Sequence, residues 1–418
     1  MSALNVELYG VLLGTLSRAA NEGERFAFQV CPEAIGKYSL SSTIMSLAVP
    51  LNLRFTPAQK RRGVNYFTEL LPEGRNYEWL ANSLPPGERT PYDILRKYGK
   101  DIAGALIIYD PDDPSSAKKG RSEIVDGKEI RRLFERMPLE ALANSPVSGK
   151  TSLGGVQGKI VLAKKEALWR RVHYGCPSTH ILKPFVPEYP TMIYDEAFCM
   201  NAAQKAGLTG HPVWIECFDG VDALVIERYD RDAGIAGGRI HQEDFNQALG
   251  ARGNEKYQEY GGKVSAKNIA YMLARFGGRG DVEKFASHLI FAITIGNLDM
   301  HAKNVSVLHF PDESARLAPV YDQVPLRHQN TDGRMAFSIG GEYVHKNLSV
   351  ENIVSELMSW GYPGFSGKAE TAGFIETCLH SYSRALDDTA LHKNAYPGLK
   401  NCLSLFIGNL LSGKRIGG

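Results

Sequence analysis

Two acids and an amide in the C-terminal half of the sequence have a spacing that could support phosphoryl transfer. Asp299 is followed five positions later by Asn304, and Asp322 comes eighteen positions after that asparagine. Phosphoryl transfer from Mg²⁺-bound ATP needs a carboxylate near the acceptor hydroxyl and oxygen ligands that hold the metal against the phosphates. The first spacing equals that of the catalytic loop of protein kinases. The pattern therefore predicts a phosphotransferase centre.

The same residues also allow a simpler interpretation, because Asp and Asn commonly occupy turns and caps between a helix and a strand. The surrounding residues favour the functional interpretation. The polar cluster DMHAKN lies between the apolar segments ending in ITIG and beginning with VSVLH. Such a cluster is costly to hold in place unless it lines a cleft, so we add His301 and Lys303 to the predicted ATP-binding residues.

A kinase also needs a lysine in its small lobe that holds the phosphates of ATP. Lys183 comes near the end of the apolar segment THILKPF, and Glu196, on a helix predicted to follow, could orient it. A lysine at a strand end is often structural, so this pair counts only together with the other parts. After the apolar segment ALVIE, Glu227 and Tyr229 could present backbone groups to adenine, although the segment by itself is only a strand end.

The glycine-rich segment SLGGVQGK at 152–159 could hold phosphates, since backbone amides in such a loop can surround an anion. It is not a Walker A motif, because Lys159 is followed by isoleucine rather than by Ser or Thr. The segment could equally be an ordinary flexible turn. The predicted phosphate-binding residues here are Gly154, Gly155, Val156, Gln157 and Lys159.

Hydrophobic periodicity predicts the elements that must position these residues. A β-meander is expected over 4–30, with further strands over 104–110, 159–165, 179–185 and 222–230. Helices are expected over 64–71, 91–98, 194–206, 266–276, 282–296, 350–360, 372–385 and 399–411. The pattern predicts an α+β, protein-kinase-like two-lobed fold. Its parts are an N-terminal β-rich subdomain (1–112), a small lobe with the glycine-rich loop and hinge (120–240) and a mainly helical C-terminal lobe (241–418).

Composition excludes several classes of protein. The 418 residues are 43% hydrophobic without any apolar run long enough to span a bilayer, and the start of the chain lacks a signal-peptide pattern, so we expect a cytoplasmic location without membrane contact. The six cysteines are scattered, which argues against a disulfide framework or a zinc site. A net charge of +2 gives no global reason for nucleic-acid binding; the basic stretches at 54–62 and 118–132 are more often solvated faces.

Together the segments resemble the HipA family of bacterial serine/threonine kinases, which are the toxins of HipBA toxin–antitoxin pairs. The resemblance runs through almost the whole chain, with the segments in the family's order. The segments that carry it are VELYGVLLGTLS, FTELLPEG, GKDIAGALII, SLGGVQGK, THILKP, YDEAFCMNAAQKAGL, ALVIERYDR, HQEDFNQALG, GNLDMHAKN and PVYDQVPL.

The resemblance implies residue roles at the centre of the site. Asp299 would be the catalytic base, while Asn304 and Asp322 would bind Mg²⁺. Lys183 would contact the phosphates of ATP. The resemblance does not assign a role to Gln242 and Glu243 of the HQED segment.

Further roles are implied at the edges of the site. Glu227 and Tyr229 would flank the adenine, and Lys159 with the preceding glycines would lie in the phosphate-binding loop. Ser152 matches a serine that family members autophosphorylate, which displaces the loop and silences the kinase. The family loop commonly carries an acidic residue before the lysine, where this chain has Gly158.

The implied partners are a HipB-like helix-turn-helix antitoxin, operator DNA reached through that antitoxin, and a protein acceptor such as an aminoacyl-tRNA synthetase. Two alternatives remain open at this stage. One is a non-catalytic regulator that bridges an antitoxin and DNA. The other is a small-molecule phosphotransferase of the aminoglycoside-kinase kind, which shares the Asp–Asn spacing but is disfavoured by the β-rich N-terminal hundred residues.

Overall fold

The computed structural model describes residues 3–18, 26–113, 120–136, 158–173 and 175–418. The strands in these residues are β1 (Leu4–Leu8), β2 (Val11–Arg18), β3 (Phe26–Val30), β4 (Ile107–Tyr109), β5 (Arg121–Ile124), β6 (Ile160–Lys165), β7 (Leu168–His173), β8 (His180–Pro184), β9 (Val213–Phe218), β10 (Val221–Glu227), β11 (His241–Asp244), β12 (Ser306–His309), β13 (Ala315–Leu317), β14 (Arg334–Ile339) and β15 (Glu342–Val344). The helices are α1 (Pro32–Tyr38), α2 (Pro57–Glu69), α3 (Gly74–Asn82), α4 (Pro91–Tyr98), α5 (Gly127–Glu135), α6 (Met192–Lys205), α7 (Phe245–Ala248), α8 (Ala266–Phe276), α9 (Asp281–Ile295), α10 (Val350–Ser359), α11 (Lys368–Asp388) and α12 (Leu399–Leu411).

The N-terminal sheet has the order β3-β2-β1-β4, and its strands are antiparallel. Burial alternates along β1, so that Leu4, Val6 and Leu8 face a core that also contains residues of α1, α2 and α4. Helix α2 begins at a capping box in which Thr56 and Gln59 bond each other's backbone amides. This N-terminal subdomain therefore has its own hydrophobic core.

The second sheet has the order β5-β7-β6-β8-β10-β9 and carries helix α6 on one face. Strand β8 lies between β6 and β10, and Lys183 is paired in register with Leu224. A strand with neighbours on both sides has its backbone bonds satisfied and its side-chain directions fixed. Lys183 is thereby held towards α6.

Helix α9 directly precedes the predicted catalytic loop and positions it. Its residues are almost all buried in the largest core, and it ends at Gly296, which has a φ of 66°. A left-handed residue at this position ends the helix, and glycine adopts it without strain. The loop that follows leads into β12, which lies between β11 and β13 in a small antiparallel sheet.

The structure differs in detail from the element predictions. Helix α2 begins earlier than the predicted 64–71, α11 extends beyond 372–385 at both ends, and the strand predicted over 104–110 is only β4. Strands β5, β7, β9, β11 and β13 to β15 were not predicted individually, because their short, partly polar sequences lack clear alternation. The predicted strands and helix around Lys183 are present in the predicted order as β6, β8, α6 and β10, with β7 and β9 between them.

The N-terminal subdomain packs on the segment that contains β11. The Tyr9 hydroxyl accepts a hydrogen bond from the amide of His241 (2.8 Å) and donates one to the carbonyl of His309 (2.5 Å). Glu243 accepts hydrogen bonds from the Leu47 amide (2.6 Å) and from Nε2 of His309 (3.0 Å). Gln242, also in β11, accepts a hydrogen bond from the Tyr229 hydroxyl. The HQED segment thus joins the subdomain to the rest of the chain.

The imidazole of His241 is buried in this interface as the neutral form. Its Nε2 donates to the Met45 carbonyl (2.8 Å), and its Nδ1 accepts from the Ala105 amide (3.4 Å). Burial, reinforced by the nearby His309, lowers the pKa of His241 from 6.5 to about 3. Protonation of Nδ1 would break the contact with Ala105.

Acid is expected to destabilise the protein in part through His241. Its folded pKa is depressed, so the stability from this group is fully present above pH 6.5 and is lost as the pH falls, because unfolding takes up a proton. Each bound proton contributes a slope of about 1.4 kcal/mol per pH unit. Between pH 6 and 4.5, the free energy of unfolding measured with urea should therefore depend less steeply on pH in His241→Gln than in the wild type, by the equivalent of about one proton. His380→Gln is the matched control, since that side chain is 57% exposed. Equal slopes for wild type and His241→Gln would contradict the prediction.

Candidate active site

Lys183 is bound between two carboxylates that come from different parts of the chain. Its Nζ lies 2.7 Å from Oε1 of Glu196 on α6 and 2.6 Å from Oδ1 of Asp322, which follows β13. All three side chains are largely buried. The structure thus brings together a predicted phosphate-binding lysine, its predicted orienting partner and a predicted metal ligand.

The charges in this cluster stabilise one another. Burial alone would lower the pKa of Lys183, but Asp322 and Glu196 outweigh it and raise that pKa. Burial also opposes ionisation of Asp322, and the Lys183 charge overcomes it and holds the pKa of this carboxyl below its usual range. The pKa of Glu196 is raised because burial dominates there, and its Oε2 has no hydrogen-bond partner among the described residues. The Lys183 ammonium, held by both carboxylates, therefore remains charged at neutral pH.

Asparagine side chains hold the predicted catalytic loop in shape. Asn297 accepts a hydrogen bond from the Asp299 amide (3.1 Å) and donates one to the Asp322 carbonyl (3.2 Å). Asn304 donates its amide group to the backbone carbonyl of Asp299 (2.8 Å). These bonds tie the loop to itself and to the segment of Asp322. Asn297 was not predicted, although it lies only two positions before Asp299.

The Asp299 carboxylate is buried and held by a tyrosine. The hydroxyl of Tyr257 donates a hydrogen bond to its Oδ1 (3.0 Å). Nε2 of His301 lies 3.8 Å from Oδ2, beyond hydrogen-bond length. Tyr257 was missed from sequence because it lies 42 residues away and belongs to no motif.

His301 is buried and neutral. Burial, with a smaller contribution from the charge of Lys256, lowers its pKa from 6.5 to about 3. Neither ring nitrogen has a hydrogen-bond partner in the part of the chain that is described. Buried polar atoms are usually paired, so these nitrogens suit a ligand group that completes their hydrogen bonds.

Asp322 has a backbone conformation that is unusual for a residue with a side chain. Its φ is 56°, in the left-handed region. The neighbouring Tyr321 is fixed through its hydroxyl, which bonds Ser306 (2.6 Å) and donates to the carbonyl of Lys303 (2.8 Å). Strained residues of this kind persist where the surrounding structure holds them, and they are concentrated at functional sites.

Lys303, predicted to bind ATP, is bound to the N-terminal subdomain in this structure. Its Nζ lies 3.0 Å from Glu69 and 3.1 Å from Glu73. Burial would lower the pKa of Lys303, but Asp244, Glu73 and Glu69 together raise it. The two glutamates were not predicted as site residues, although they lie in the segment FTELLPEG, which is one of those that carry the family resemblance.

The predicted hinge lies at the end of β10. The Glu227 amide donates to the Pro212 carbonyl (3.1 Å), and the Arg228 amide donates to the Thr179 carbonyl (3.0 Å). The ring of Tyr229 lies 5.5 Å from that of Tyr321, next to Asp322. The hinge therefore runs close to the predicted metal-binding segment.

Only the end of the glycine-rich segment is described. Lys159 precedes β6, and although the residue is exposed as a whole, desolvation of its ammonium group and the nearby Lys183 charge lower its pKa. The charges of Asp322 and Glu196 act on it in the opposite direction. The other residues predicted here, Ser152, Gly154, Gly155, Val156 and Gln157, lie outside the described residues.

The donor groups fit a hard cation that is also bound by phosphate. The side-chain nitrogen of Asn304 donates a hydrogen bond to the Asp299 carbonyl, so the side-chain oxygen of Asn304 remains as a metal ligand. Asp322 adds a carboxylate. Mg²⁺ is commonly held by one or two protein ligands together with phosphates and water. Among the described residues, no three His, Cys, Asp or Glu side chains form a metal cage.

Comparison with known families agrees with this architecture. Residues 4–109 match the model of the HipA N-terminal domain, and residues 151–383 match the model of the HipA-like C-terminal domain, which is more than half of the chain.

The chain belongs to the HipA family.

Relatives extend over most of this HipA-family chain. Y4mE of Sinorhizobium fredii, a protein assigned as a kinase, is 30% identical over 356 residues, which cover 83% of this chain and 84% of that protein. The serine/threonine-protein kinase toxin HipA of Shewanella oneidensis is 24% identical over 384 residues, covering 86% and 84%. These similarities associate the chain with kinases.

A solved structure confirms the fold. The HipA chain in the Shewanella oneidensis MR-1 complex of HipA, HipB and operator DNA superposes with a TM-score of 0.81. The match covers 98% of this chain and 96% of that chain, at 20% sequence identity. The predicted fold class is therefore confirmed. Within the described ranges, no helix has the length and apolarity needed to cross a membrane.

Proposed function

We propose that this HipA-family chain is an ATP-dependent serine/threonine-protein kinase that acts as the toxin of a type II toxin–antitoxin system. The observation that supports this most is the ion-pair cluster of Lys183 with Glu196 and Asp322, beside the loop of Asp299 and Asn304. Kinases need a phosphate-binding lysine, a metal-binding aspartate and a loop base at one site.

Each residue has one role in the proposed reaction. Asp299 accepts the proton of the acceptor hydroxyl as its oxygen attacks the γ-phosphorus; the new O–P bond forms while the bond from phosphorus to ADP breaks. Lys183 binds the phosphates of ATP, and Glu196 orients that lysine. Asn304 and Asp322 would hold Mg²⁺, which would neutralise phosphate charge.

The remaining predicted residues surround the nucleotide. We propose that Glu227 and Tyr229 flank the adenine, and that His301, Lys303, Lys159 and the glycine-rich segment (Gly154, Gly155, Val156 and Gln157) contact ATP. The orphan ring nitrogens of His301 support a contact of this kind. The division into 1–112, 120–240 and 241–418 is part of the same proposal.

The proposed partners follow from the family. The Shewanella oneidensis HipA complex contains HipB and operator DNA. For this chain we propose a HipB-like helix-turn-helix antitoxin, with operator DNA bound through it. We propose that the acceptor is a cytoplasmic protein, with an aminoacyl-tRNA synthetase as the candidate whose inactivation would arrest translation and growth.

Incubation of the purified chain with Mg²⁺ and γ-labelled ATP tests the function directly. We expect labelled phosphate on Ser152, located by mass spectrometry, and loss of that label in Ser152→Ala. We propose that phosphate on Ser152 inactivates the kinase; because the unmodified serine is not among the proposed ATP-binding residues, Ser152→Ala should still bind ATP with the affinity of the wild type. ATP binding without any labelled product in the wild type would contradict kinase activity and favour the non-catalytic regulator.

A further inference from the structure

Two glutamates of the N-terminal subdomain lie against the proposed catalytic loop. Glu69 is the last residue of α2, and Glu73 precedes α3. Both accept hydrogen bonds from Lys303, one residue before Asn304. The side chain of Glu69 is only 5% exposed, so its negative charge depends on such partners.

The same glutamates hold a second segment. Glu69 also accepts a hydrogen bond from the amide of Gly253 (2.9 Å), and Glu73 accepts one from Lys256 (2.6 Å). Gly253–Lys256 is a 3₁₀ turn, so the two carboxylates bind it at both ends. The next residue is Tyr257.

Tyr257 connects this turn to the reacting groups. Its hydroxyl donates to Oδ1 of Asp299, and its backbone follows directly after the Lys256 that Glu73 holds. The glutamates are therefore linked to the site in two ways. They bond Lys303 in the loop, and they hold the turn that precedes Tyr257, which bonds the proposed base. A pair of carboxylates that binds both segments fixes their relative position.

Opposite charges stabilise the contacts of Glu69 and Glu73 with the two segments. Two carboxylates face two ammonium groups, those of Lys303 and Lys256. Burial would raise the pKa of Glu73, but the two lysines outweigh it and lower that pKa from 4.5 to about 2. Glu73 therefore remains ionised at neutral pH.

We propose that Glu69 and Glu73 are positioning residues of the catalytic loop, and that the N-terminal subdomain thereby completes the active site. This inference rests on the proposed kinase function. Neither glutamate touches the reacting atoms; they fix Lys303 and, through Tyr257, the direction of the Asp299 carboxylate. Misplacement of a catalytic group by about 1 Å can lower a rate by about 100-fold.

Kinetics of the full chain separate positioning from nucleotide binding. In the double variant Glu69→Gln/Glu73→Gln we expect kcat for phosphate transfer from labelled ATP to fall about 10- to 100-fold, a larger change than any rise in KM for ATP that follows from release of Lys303. Glu73→Asp keeps the charge and should retain at least about a third of kcat. Tyr257→Phe, which removes only one hydroxyl, should also lower kcat.

Asp101→Asn is the matched control. It removes the ion pair of Asp101 with Arg239 (3.1 Å), which also joins the N-terminal subdomain to the rest of the chain but does not contact the loop. We expect kcat within about twofold of the wild type. Thermal unfolding of each variant identifies any that fail to fold; if the double variant does, the single substitution Glu73→Gln, at a side chain that is 40% exposed, carries the test against Glu73→Asp. An unchanged kcat in the folded glutamine variants, or a rise in KM alone, would overturn the inference.

Hydrogen exchange distinguishes failure of this inference from failure of the proposed function. If the wild type transfers no phosphate, the kinase proposal fails, but the positioning contacts are still measurable. Amide exchange over residues 297–305 should be faster in Glu69→Gln/Glu73→Gln than in the wild type and in Asp101→Asn, because the loop loses its supports. Equal exchange in all three proteins would overturn the inference whether or not the chain is a kinase.

Discussion

Asp299→Asn is expected to lower phosphoryl transfer about 1000-fold while ATP binding is retained. General-base catalysis typically contributes about 10²- to 10⁴-fold, and an amide cannot accept the proton. Asparagine has nearly the same shape, and its oxygen can still accept the hydrogen bond from Tyr257. The loop contacts of Asn297 and Asn304 go to the backbone of residue 299, so they should persist. Initial rates with labelled ATP, together with nucleotide titration, measure the two effects separately.

Asp332→Asn is the control for this substitution. Asp332 is exposed in the same half of the chain, and among the described residues its side chain bonds only the amide of Arg334. Its replacement should leave the rate within about twofold. Expression in cells gives an independent readout, since wild type should arrest growth and Asp299→Asn should not. Equal growth arrest by both proteins would favour a binding role over catalysis.

Lys183→Met is expected to remove both activity and a large part of the stability. The substitution leaves Glu196 and Asp322 in a buried site without their cation. Breaking a buried ion pair by removing one partner typically costs about 3–5 kcal/mol. Phosphate transfer should fall more than about 100-fold, because the phosphates of ATP lose a charged contact. Urea unfolding at pH 7 and labelled-ATP kinetics measure these two losses.

A second substitution separates stability from catalysis at this site. Glu196→Gln added to Lys183→Met removes one uncompensated carboxylate, so it should recover part of the stability but none of the activity. Lys164→Met is the matched control on the same sheet. Lys164 pairs with Glu216 at 3.4 Å in a partly exposed position, where an ion pair contributes about 0–1 kcal/mol. A stability loss as large in Lys164→Met as in Lys183→Met would contradict the special role of the buried cluster.

Sequence patterns predicted those parts of the molecule that depend on neighbouring residues. The apolar segment of α9, followed by glycine and a polar cluster, indicated a loop between a helix and a strand, and the structure has that loop. Helices α4, α8 and α12 have the predicted bounds because their apolar periodicity and end signals agree. Helix α11 was predicted too short, since the buried Thr371 and Leu386 lie just outside the predicted range and are flanked by charged residues that obscure the apolar periodicity.

The contacts around Lys303 could not be predicted from sequence. The lysine is separated from Glu69 by 234 residues, and nothing in either local pattern indicates the pairing. The same holds for Tyr257, which is an ordinary tyrosine in sequence but bonds Asp299 in the structure. In contrast, Lys183 and Glu196 lie on adjacent elements only 13 residues apart, so their proximity could be inferred from the order of strand and helix.

The sequence by itself therefore determined the types of element, the family resemblance and the chemical groups of the candidate site, because these depend on residue type and short-range periodicity. Only the tertiary structure decided which groups meet. In the structure, Lys183 bonds both Glu196 and Asp322, and the FTELLPEG segment packs against the catalytic loop. Ion pairs and hydrogen bonds act over a few ångströms, and the packing of distant segments determines which groups come within that range.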